Sequence, residues 1–186
     1  MAPVKGVLCS GNAHKLEELR AALPGWELQL LGADDYPPET GASYYENAVA
    51  KARHGRRVGD PAVWMLGEDS GIEAAALGGG PGISSARWAA DGVASLLAEL
   101  QGREDRRARY VCELVALGPD GKELRGTGIL EGTITHAPRG DEGFGYDPIF
   151  VPLGESRTVA ELGNAWKRSH SHRARAAAAL PPPETP

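Results

Sequence analysis

The chain is poor in the residues that mark several classes of protein. Its 186 residues include two cysteines, Cys9 and Cys112, which are too few for a disulfide scaffold. Both lie in apolar stretches, so we expect reduced core thiols and a cytosolic location. It has no run of about 18 apolar residues, so we expect no membrane span. The formal net charge of −5 argues against a general nucleic-acid binder, which would be basic.

The composition predicts one domain with a real core. The hydrophobic content of 41% is sufficient for a core, and the length suits one domain, with or without a small lobe. We assign this domain to residues 1–180 and a flexible proline-rich tail to residues 181–186. The opening Met-Ala-Pro-Val-Lys-Gly-Val leads directly into an apolar strand and lacks the layout of a signal peptide.

Helical and strand-like patterns alternate first, and paired strands follow, which predicts a mixed α/β sheet. Strands are predicted over 4–10, 27–31, 62–66, 108–117 and 123–134, the last two paired around a turn at 119–121. Helices are predicted from residue 11 to Leu23, over 43–57, 94–100 and 168–180, with a helical turn at 158–162. The third strand is predicted to end in the polar run 67–71.

Residues 143–150, Gly-Phe-Gly-Tyr-Asp-Pro-Ile-Phe, contain both phenylalanines of the chain. Glycine and proline make this segment unsuited to a regular helix or a central strand. Phe144 and Tyr146 would then be displayed on a tight loop beside Asp147, which suits the flat face and polar edge of a nucleobase. The alternative is a turn whose rings fill a local gap, and the segment alone favours neither.

Three further segments indicate a phosphorylated ligand. Residues 10–15 join a strand to a helix, and unpaired N–H groups at a helix start suit a phosphate, with Lys15 adding charge. An Asn12 N-cap with a solvated lysine is the alternative. The adjacent carboxylates Glu68 and Asp69 suit a hard ion such as Mg²⁺, with Glu39 upstream, or form a solvated acidic turn.

The third segment, residues 163–180, is basic and has no acidic residue. It suggests a local anion site, or else a solvated helix face with favourable charges near its end. On one continuous helix, Lys167 and Ser171 would share a face. Taken together, phosphate sites, a hard-metal site and a ring platform describe a nucleoside triphosphate bound with Mg²⁺.

These segments closely resemble the inosine/xanthosine triphosphate pyrophosphatases. The matching pieces run in family order across nearly the whole chain: Ser10 to Lys15, Glu39-Thr40-Gly41, Glu46 to Ala52, Glu68 to Ile72, Gly79 to Arg87, Pro138-Arg139-Gly140, Gly143 to Phe150, Lys167 and Ser171-His172-Arg173. Departures from the family pattern include Ser10 for Thr, Glu68 for the Asp of many bacterial members, and Ser43-Tyr44 for Thr-Phe.

The resemblance implies an elongated mixed β-sheet flanked by helices, two lobes with a central cleft, and a homodimer. It implies hydrolysis of ITP, dITP and XTP at the α–β phosphoanhydride, giving a nucleoside monophosphate and pyrophosphate. Asp69 would help activate the attacking water, and Glu39 and Asp69 would hold Mg²⁺. Substrate would be bound by Ser10, Gly11, Asn12, Ala13, His14, Lys15, Ser70, Phe144, Gly145, Tyr146, Asp147, Lys167, His172 and Arg173. Lys51 and Arg87 are weaker candidates for phosphate contacts.

Three other functions compete with this one. The first is a related pyrophosphatase of the same architecture that prefers modified or pyrimidine nucleotides. The second is a silent nucleotide-binding protein, which Glu39 and Asp69 argue against. The third is a phosphatase that releases orthophosphate stepwise.

Overall fold

The structure is a computed structural model that describes residues 2–32 and 36–183. Its elements, in chain order, are β1 (Val4–Leu8), α1 (Ala13–Ala22), β2 (Trp26–Leu30), α2 (Tyr44–Val58), β3 (Trp64–Ala74), α3 (Gly92–Glu99), β4 (Arg107–Leu117), β5 (Glu123–Ile134), β6 (Phe150–Pro152), α4 (Val159–His170) and α5 (His172–Ala179). Short 3-10 helices cover Ala75–Leu77, Gly82–Ser84 and Asp147–Ile149. The predicted tail has no helix or strand over 181–183, and residues 184–186 lie outside the described part.

One six-stranded sheet has the order β2-β1-β3-β4-β5-β6. Strand β1 pairs in parallel with β2 and β3, and β5 pairs antiparallel with β6. A tight turn, in which Gly118 N donates to Lys122 O at 2.8 Å, joins β4 to β5. The prediction of a mixed α/β sheet is confirmed, as is the turn at 119–121. The lobes and cleft implied by the resemblance stay predictions, as does the single-domain assignment.

Side-chain caps explain where the helices begin. Asn12, Ser43 and Asp91 each accept a hydrogen bond from a backbone N–H in the first turn of α1, α2 and α3. Thr158 opens α4 with a capping box, since Glu161 accepts in return from the Thr158 backbone N–H. The predicted turn at 158–162 is therefore the first turn of a longer helix, interrupted at Gly163, whose φ of 83° is outside the helical region.

The prediction of one helix over 168–180 is wrong. Helix α4 ends at His170, and Ser171 has an extended backbone with φ −63° and ψ 159° before α5 begins at His172. Lys167 and Ser171 therefore do not share the face of one continuous helix. His170 and His172 lie on different helices.

The chain forms two compact units, and each is built from several segments. Unit 1 comprises residues 1–69, 112–128 and 173–186, and unit 2 comprises residues 70–111 and 129–172. The main core of unit 1 packs leucines of α1, β1, β2 and β3 with residues of β4, β5 and α5. The core of unit 2 joins β3, β4 and β5 residues with α3, Tyr146 and Phe150. In the described part of the chain, no helix is long and apolar enough to cross a membrane.

Both cysteines are free and buried in unit 1, as predicted. Burial raises the pKa of Cys9 to about 12, and burial followed by the charge of Glu68 raises the pKa of Cys112 well above its usual range. Since the thiolate is the reactive form, both side chains are protected in two ways. They are inaccessible to reagents, and they are protonated.

We therefore expect the native protein to gain no adduct from iodoacetamide at pH 8 in the time that free cysteine reacts completely. After unfolding in guanidinium chloride, both thiols should react, and intact-protein mass spectrometry counts the adducts. Prompt modification of the native chain would contradict the burial of these residues.

Candidate functional site

Glu68 and Asp69 lie inside a strand, so the prediction that β3 ends before them is wrong. Strand β3 continues to Ala74, and the two carboxylate residues are 0% and 3% exposed. The alternative of a solvated acidic turn is also wrong. Two neighbours in a strand point to opposite faces, so each carboxylate has its own set of partners.

Helix α2 supplies the partners of Asp69. Asn47 Nδ2 donates to Asp69 Oδ2 at 3.0 Å, and Lys51 Nζ donates to Asp69 Oδ1 at 3.0 Å. Asn47 and Lys51 are four residues apart and share one face of the helix. Gly67 brings this face close to β3, since a Cβ there would overlap the backbone of Ala48 and Ala52. A glycine at this position therefore allows the helix to reach Asp69.

Lys51 also joins Asp69 to the second predicted metal ligand. Glu39 Oε1 lies 2.5 Å from Lys51 Nζ, so two carboxylates converge on one cation. Burial opposes the charge of Lys51, but Asp69, Glu68 and Glu39 together raise its pKa. Burial raises the pKa of Asp69, and Lys51 and Asn47 offset part of this rise.

The donor set of Glu39 and Asp69 fits a magnesium ion. Both residues offer carboxylate oxygens, and both face the same positive charge. Among the residues described, no group of three or more His, Cys, Asp or Glu side chains is arranged to hold a metal. Two carboxylates nevertheless suffice for Mg²⁺, which takes its remaining ligands from water and substrate phosphates.

The carboxylate of Glu68 pairs with two basic side chains, those of Lys15 and Arg173, which were predicted to bind substrate. Its Oε2 lies 2.6 Å from Lys15 Nζ, and its Oε1 accepts from Arg173 Nε at 2.9 Å. Arg173 Nη1 donates to Glu18 Oε2 at 2.7 Å. Burial opposes ionisation of Glu68, but Arg173, Lys15 and Lys51 hold its pKa well below the usual range. Lys15, Glu18, Glu68 and Arg173 thus form a buried charge network in unit 1.

Residues 10–15 join β1 to α1, as predicted. Asn12 is the N-cap, and its Oδ1 accepts from the backbone N of His14 and Lys15 at 3.0 and 3.3 Å. Ser10 Oγ accepts from Asn12 N at 3.1 Å. The alternative that Asn12 is an N-cap is confirmed. The prediction that Lys15 is solvated is wrong, because Lys15 pairs with Glu68. Gly11, Ala13 and His14 are exposed.

In unit 2, Asp147 organises the aromatic loop. Its Oδ2 accepts from Phe144 N at 2.9 Å and from Lys167 Nζ at 2.6 Å. Lys167 Nζ also lies 4.4 Å from the centre of the Phe144 ring, a cation–π contact. Phe144 is half-buried and Gly145 is exposed. This part of the loop has the displayed ring and the polar neighbour that were predicted.

The prediction that the ring of Tyr146 is displayed on the loop is wrong. Its ring is 7% exposed and packs in the core of unit 2, and its hydroxyl donates to Ser85 O at 2.9 Å. The gap-filling alternative therefore holds for Tyr146. Phe150 is also fully buried. Ser70, the residue after Asp69 in β3, is half-buried.

His172 lies in unit 2, where it stacks on Tyr110. The two rings are parallel within 6°, with centres 4.4 Å apart. Arg173 is the next residue and belongs to unit 1. Sequence reasoning missed Asn47, Glu18 and Tyr110. Asn47 had a usable signal, its spacing of four from Lys51, whereas Tyr110 is one buried residue among many in β4.

The mixed sheet and its flanking helices define an α/β protein, and its sequence assigns it to a known family. The sequence matches the Ham1 family over residues 6–182, and the chain belongs to that family. It is 44% identical to a dITP/XTP pyrophosphatase of Deinococcus deserti, over 94% of this chain and 86% of that one.

Two solved structures share the fold. The Staphylococcus aureus Ham1 protein superposes with a TM-score of 0.81 at 33% identity, over 92% of this chain and 93% of that one. A nucleoside-triphosphatase and dITP/XTP pyrophosphatase from Mycobacterium abscessus has a TM-score of 0.73 at 40% identity, covering 95% of this chain and 97% of that one.

Proposed function

We propose that this protein hydrolyses nonstandard purine nucleoside triphosphates, namely ITP, dITP and XTP, to the monophosphate and pyrophosphate. It is a hydrolase acting on phosphoanhydride bonds, and the names of its relatives agree with this class. One observation carries the proposal at the level of the site. The buried carboxylate of Asp69 is held by Asn47 and Lys51 beside a second carboxylate, Glu39.

We further propose that Asp69 accepts the proton of the attacking water. The water oxygen forms a bond to the α-phosphorus as the bond from that phosphorus to the bridging oxygen breaks. The electron pair of the broken bond leaves with pyrophosphate, and the water proton goes to the Asp69 carboxylate. Lys51 and Asn47 fix the orientation of that carboxylate, which is a requirement for general-base catalysis.

The metal ion, the oligomeric state and the location of the protein are also proposed. We propose that Glu39 and Asp69 hold Mg²⁺, that the protein is a homodimer, and that it acts in the cytosol without nucleic-acid or membrane partners. When bound, Mg²⁺ supplies positive charge to the phosphate oxygens. The phosphates would be contacted by residues 10–15 and by Lys51, which all belong to unit 1.

The aromatic loop is proposed to bind the nucleobase. Phe144 offers a half-buried ring face, and Asp147 with Lys167 offers a polar edge. His172 is proposed as a donor to the carbonyl at position 6 of the purine, which adenine lacks, whereas the guanidinium of Arg173 is buried on two carboxylates of unit 1. An unpaired buried polar group costs about 1–3 kcal/mol, which disfavours adenine.

The proposal is tested by assaying pyrophosphate and orthophosphate release from a panel of nucleoside triphosphates, with and without Mg²⁺. We expect pyrophosphate from ITP, dITP and XTP in the presence of Mg²⁺. A strong preference for dTTP or UTP would support the related pyrophosphatase family instead. Stepwise orthophosphate would indicate a phosphatase, and nucleotide binding without any product would indicate a silent binding protein.

Phe144→Ala is expected to raise KM for ITP by about tenfold with little change in kcat. Stacking of a base on an aromatic ring is worth about 1–3 kcal/mol by alanine substitution. Phe144→Tyr keeps the ring face and serves as the control, with KM near that of the wild type. An unchanged KM in Phe144→Ala would mean that the ring only fills a local gap.

A further inference from the structure

Tyr110 connects two residues of the proposed nucleobase site. It lies in β4, is 6% exposed, and belongs to unit 2. Its hydroxyl donates to Asp147 Oδ1 at 3.2 Å, and its ring stacks on His172. The same ring packs against Phe150 with centres 4.7 Å apart. One side chain therefore contacts the aromatic loop and the first residue of α5.

The hydroxyl of Tyr110 adds a contact to those that Asp147 makes with the aromatic loop and Lys167. One carboxylate oxygen, Oδ2, accepts from Phe144 N and Lys167 Nζ, while Tyr110 binds the other oxygen. Hydrogen bonds to both oxygens fix the rotation of the carboxylate about its last bond. The position of Lys167 Nζ, and with it the cation–π contact on Phe144, depends on that rotation.

The ring of Tyr110 acts on a different neighbour. A parallel stack at 4.4 Å occupies one face of the His172 imidazole. The ring nitrogens of an imidazole form hydrogen bonds in the ring plane, so the stack fixes the direction of those bonds. Phe150 packs on the Tyr110 ring and is fully buried, which restricts movement of the stack.

We propose that Tyr110 is a positioning residue for nucleobase recognition, its hydroxyl setting Asp147 and its ring setting His172. This inference rests on the proposed function. It separates into two parts because one variant removes the hydroxyl alone and another removes the hydroxyl and the ring together. Tyr110→Phe removes the hydroxyl and keeps the stack, whereas Tyr110→Leu removes both.

The test measures kcat and KM for ITP by pyrophosphate release, and the inhibition constant of tripolyphosphate, which has no base. Tyr110→Phe is expected to raise KM by about two- to tenfold, the range that one hydrogen bond supplies. Tyr110→Leu is expected to raise it further. For both variants kcat and the tripolyphosphate constant should stay near the wild-type values, because the phosphate end is unaffected.

The matched control is Tyr45→Phe, which also removes a tyrosine hydroxyl bound to a carboxylate, Glu123 Oε1 at 2.6 Å. Tyr45 lies in unit 1 outside the proposed site, and its variant should keep the wild-type KM. An unchanged KM in both Tyr110 variants would overturn the inference. A parallel rise in the tripolyphosphate constant would also overturn it, because a general structural defect would then explain the loss.

The activity of the wild-type protein distinguishes failure of the proposed function from failure of the Tyr110 inference. If wild-type protein releases no pyrophosphate from ITP, the proposed function fails. The Tyr110 inference is then decided by calorimetric Kd values of ITP and tripolyphosphate for the same variants. Weaker binding of ITP alone supports it, and equal effects on both ligands, or none, overturn it.

Discussion

Asp69→Asn is expected to lower kcat for ITP hydrolysis by about a hundredfold or more, the usual range for loss of a general base. Asparagine has the size of aspartate and retains one oxygen for Lys51, but its amide nitrogen faces the Asn47 Nδ2 donor, so we expect a folded protein that has lost one hydrogen bond. Pyrophosphate release at saturating ITP measures the effect. Circular dichroism and a thermal melt check the fold.

Asp105→Asn is the matched control for this prediction. Asp105 carries an exposed carboxylate that pairs with Arg107 outside the proposed site. Its variant should retain wild-type activity. Near-full turnover by Asp69→Asn would refute the catalytic role of Asp69, and calorimetric binding of ITP to that variant shows whether the site remains assembled.

Arg173→Met is expected to lower the free energy of unfolding by about 3–5 kcal/mol, the range for removing one partner of a buried ion pair. Arg173 is 2% exposed, and its guanidinium binds both Glu68 and Glu18. Methionine fills similar volume but leaves Glu68 with less opposing charge in a fully buried position. Urea unfolding measures the change through its midpoint and slope.

Two further variants make this second prediction decisive. Arg53→Met replaces an exposed arginine of α2 in the same unit and should change stability by less than about 0.5 kcal/mol. Adding Glu68→Gln to Arg173→Met should recover part of the loss, because a neutral side chain needs less opposing charge and only the partly exposed Lys15 then loses its partner. A change below about 1 kcal/mol in Arg173→Met alone would show that the network contributes little.

Local patterns were sufficient to predict much of the fold. The alternation of buried and exposed residues along β5 follows the period of a strand, and its bounds match the prediction of 123–134. Asn12 and Ser43 are strong N-caps, so the first two helices begin near their predicted starts. These signals act over a few residues, which is why a single sequence reveals them.

The predictions about the fold that were wrong depend on interactions between residues that are distant in sequence. Glu68 and Asp69 looked like the end of a strand because charged residues rarely lie in a core. Their burial depends on cations from α1, α2 and α5, and no local pattern reports those contacts. The break at Ser171 was missed for a similar reason, since the residues around it are compatible with a continuous helix.

The candidate site was predicted by residue type more than by arrangement. Glu39, Lys51 and Asp69 do converge, and Phe144 does lie beside Asp147 and Lys167. The burial of Tyr146 was not predictable, because a tyrosine in a glycine-rich loop can face either way. Tyr110 carried no signal at all, since its role depends on two partners from other segments.

The placement of Arg173 has a consequence for the order in which the protein is made. Arg173 follows Glu68 by 105 residues, and all of unit 2 is translated between them. A nascent chain that has emerged up to His172 holds every segment of unit 2 but lacks the guanidinium that neutralises Glu68 in unit 1. Biosynthesis therefore completes the charge balance of the first unit only after the second unit has left the ribosome.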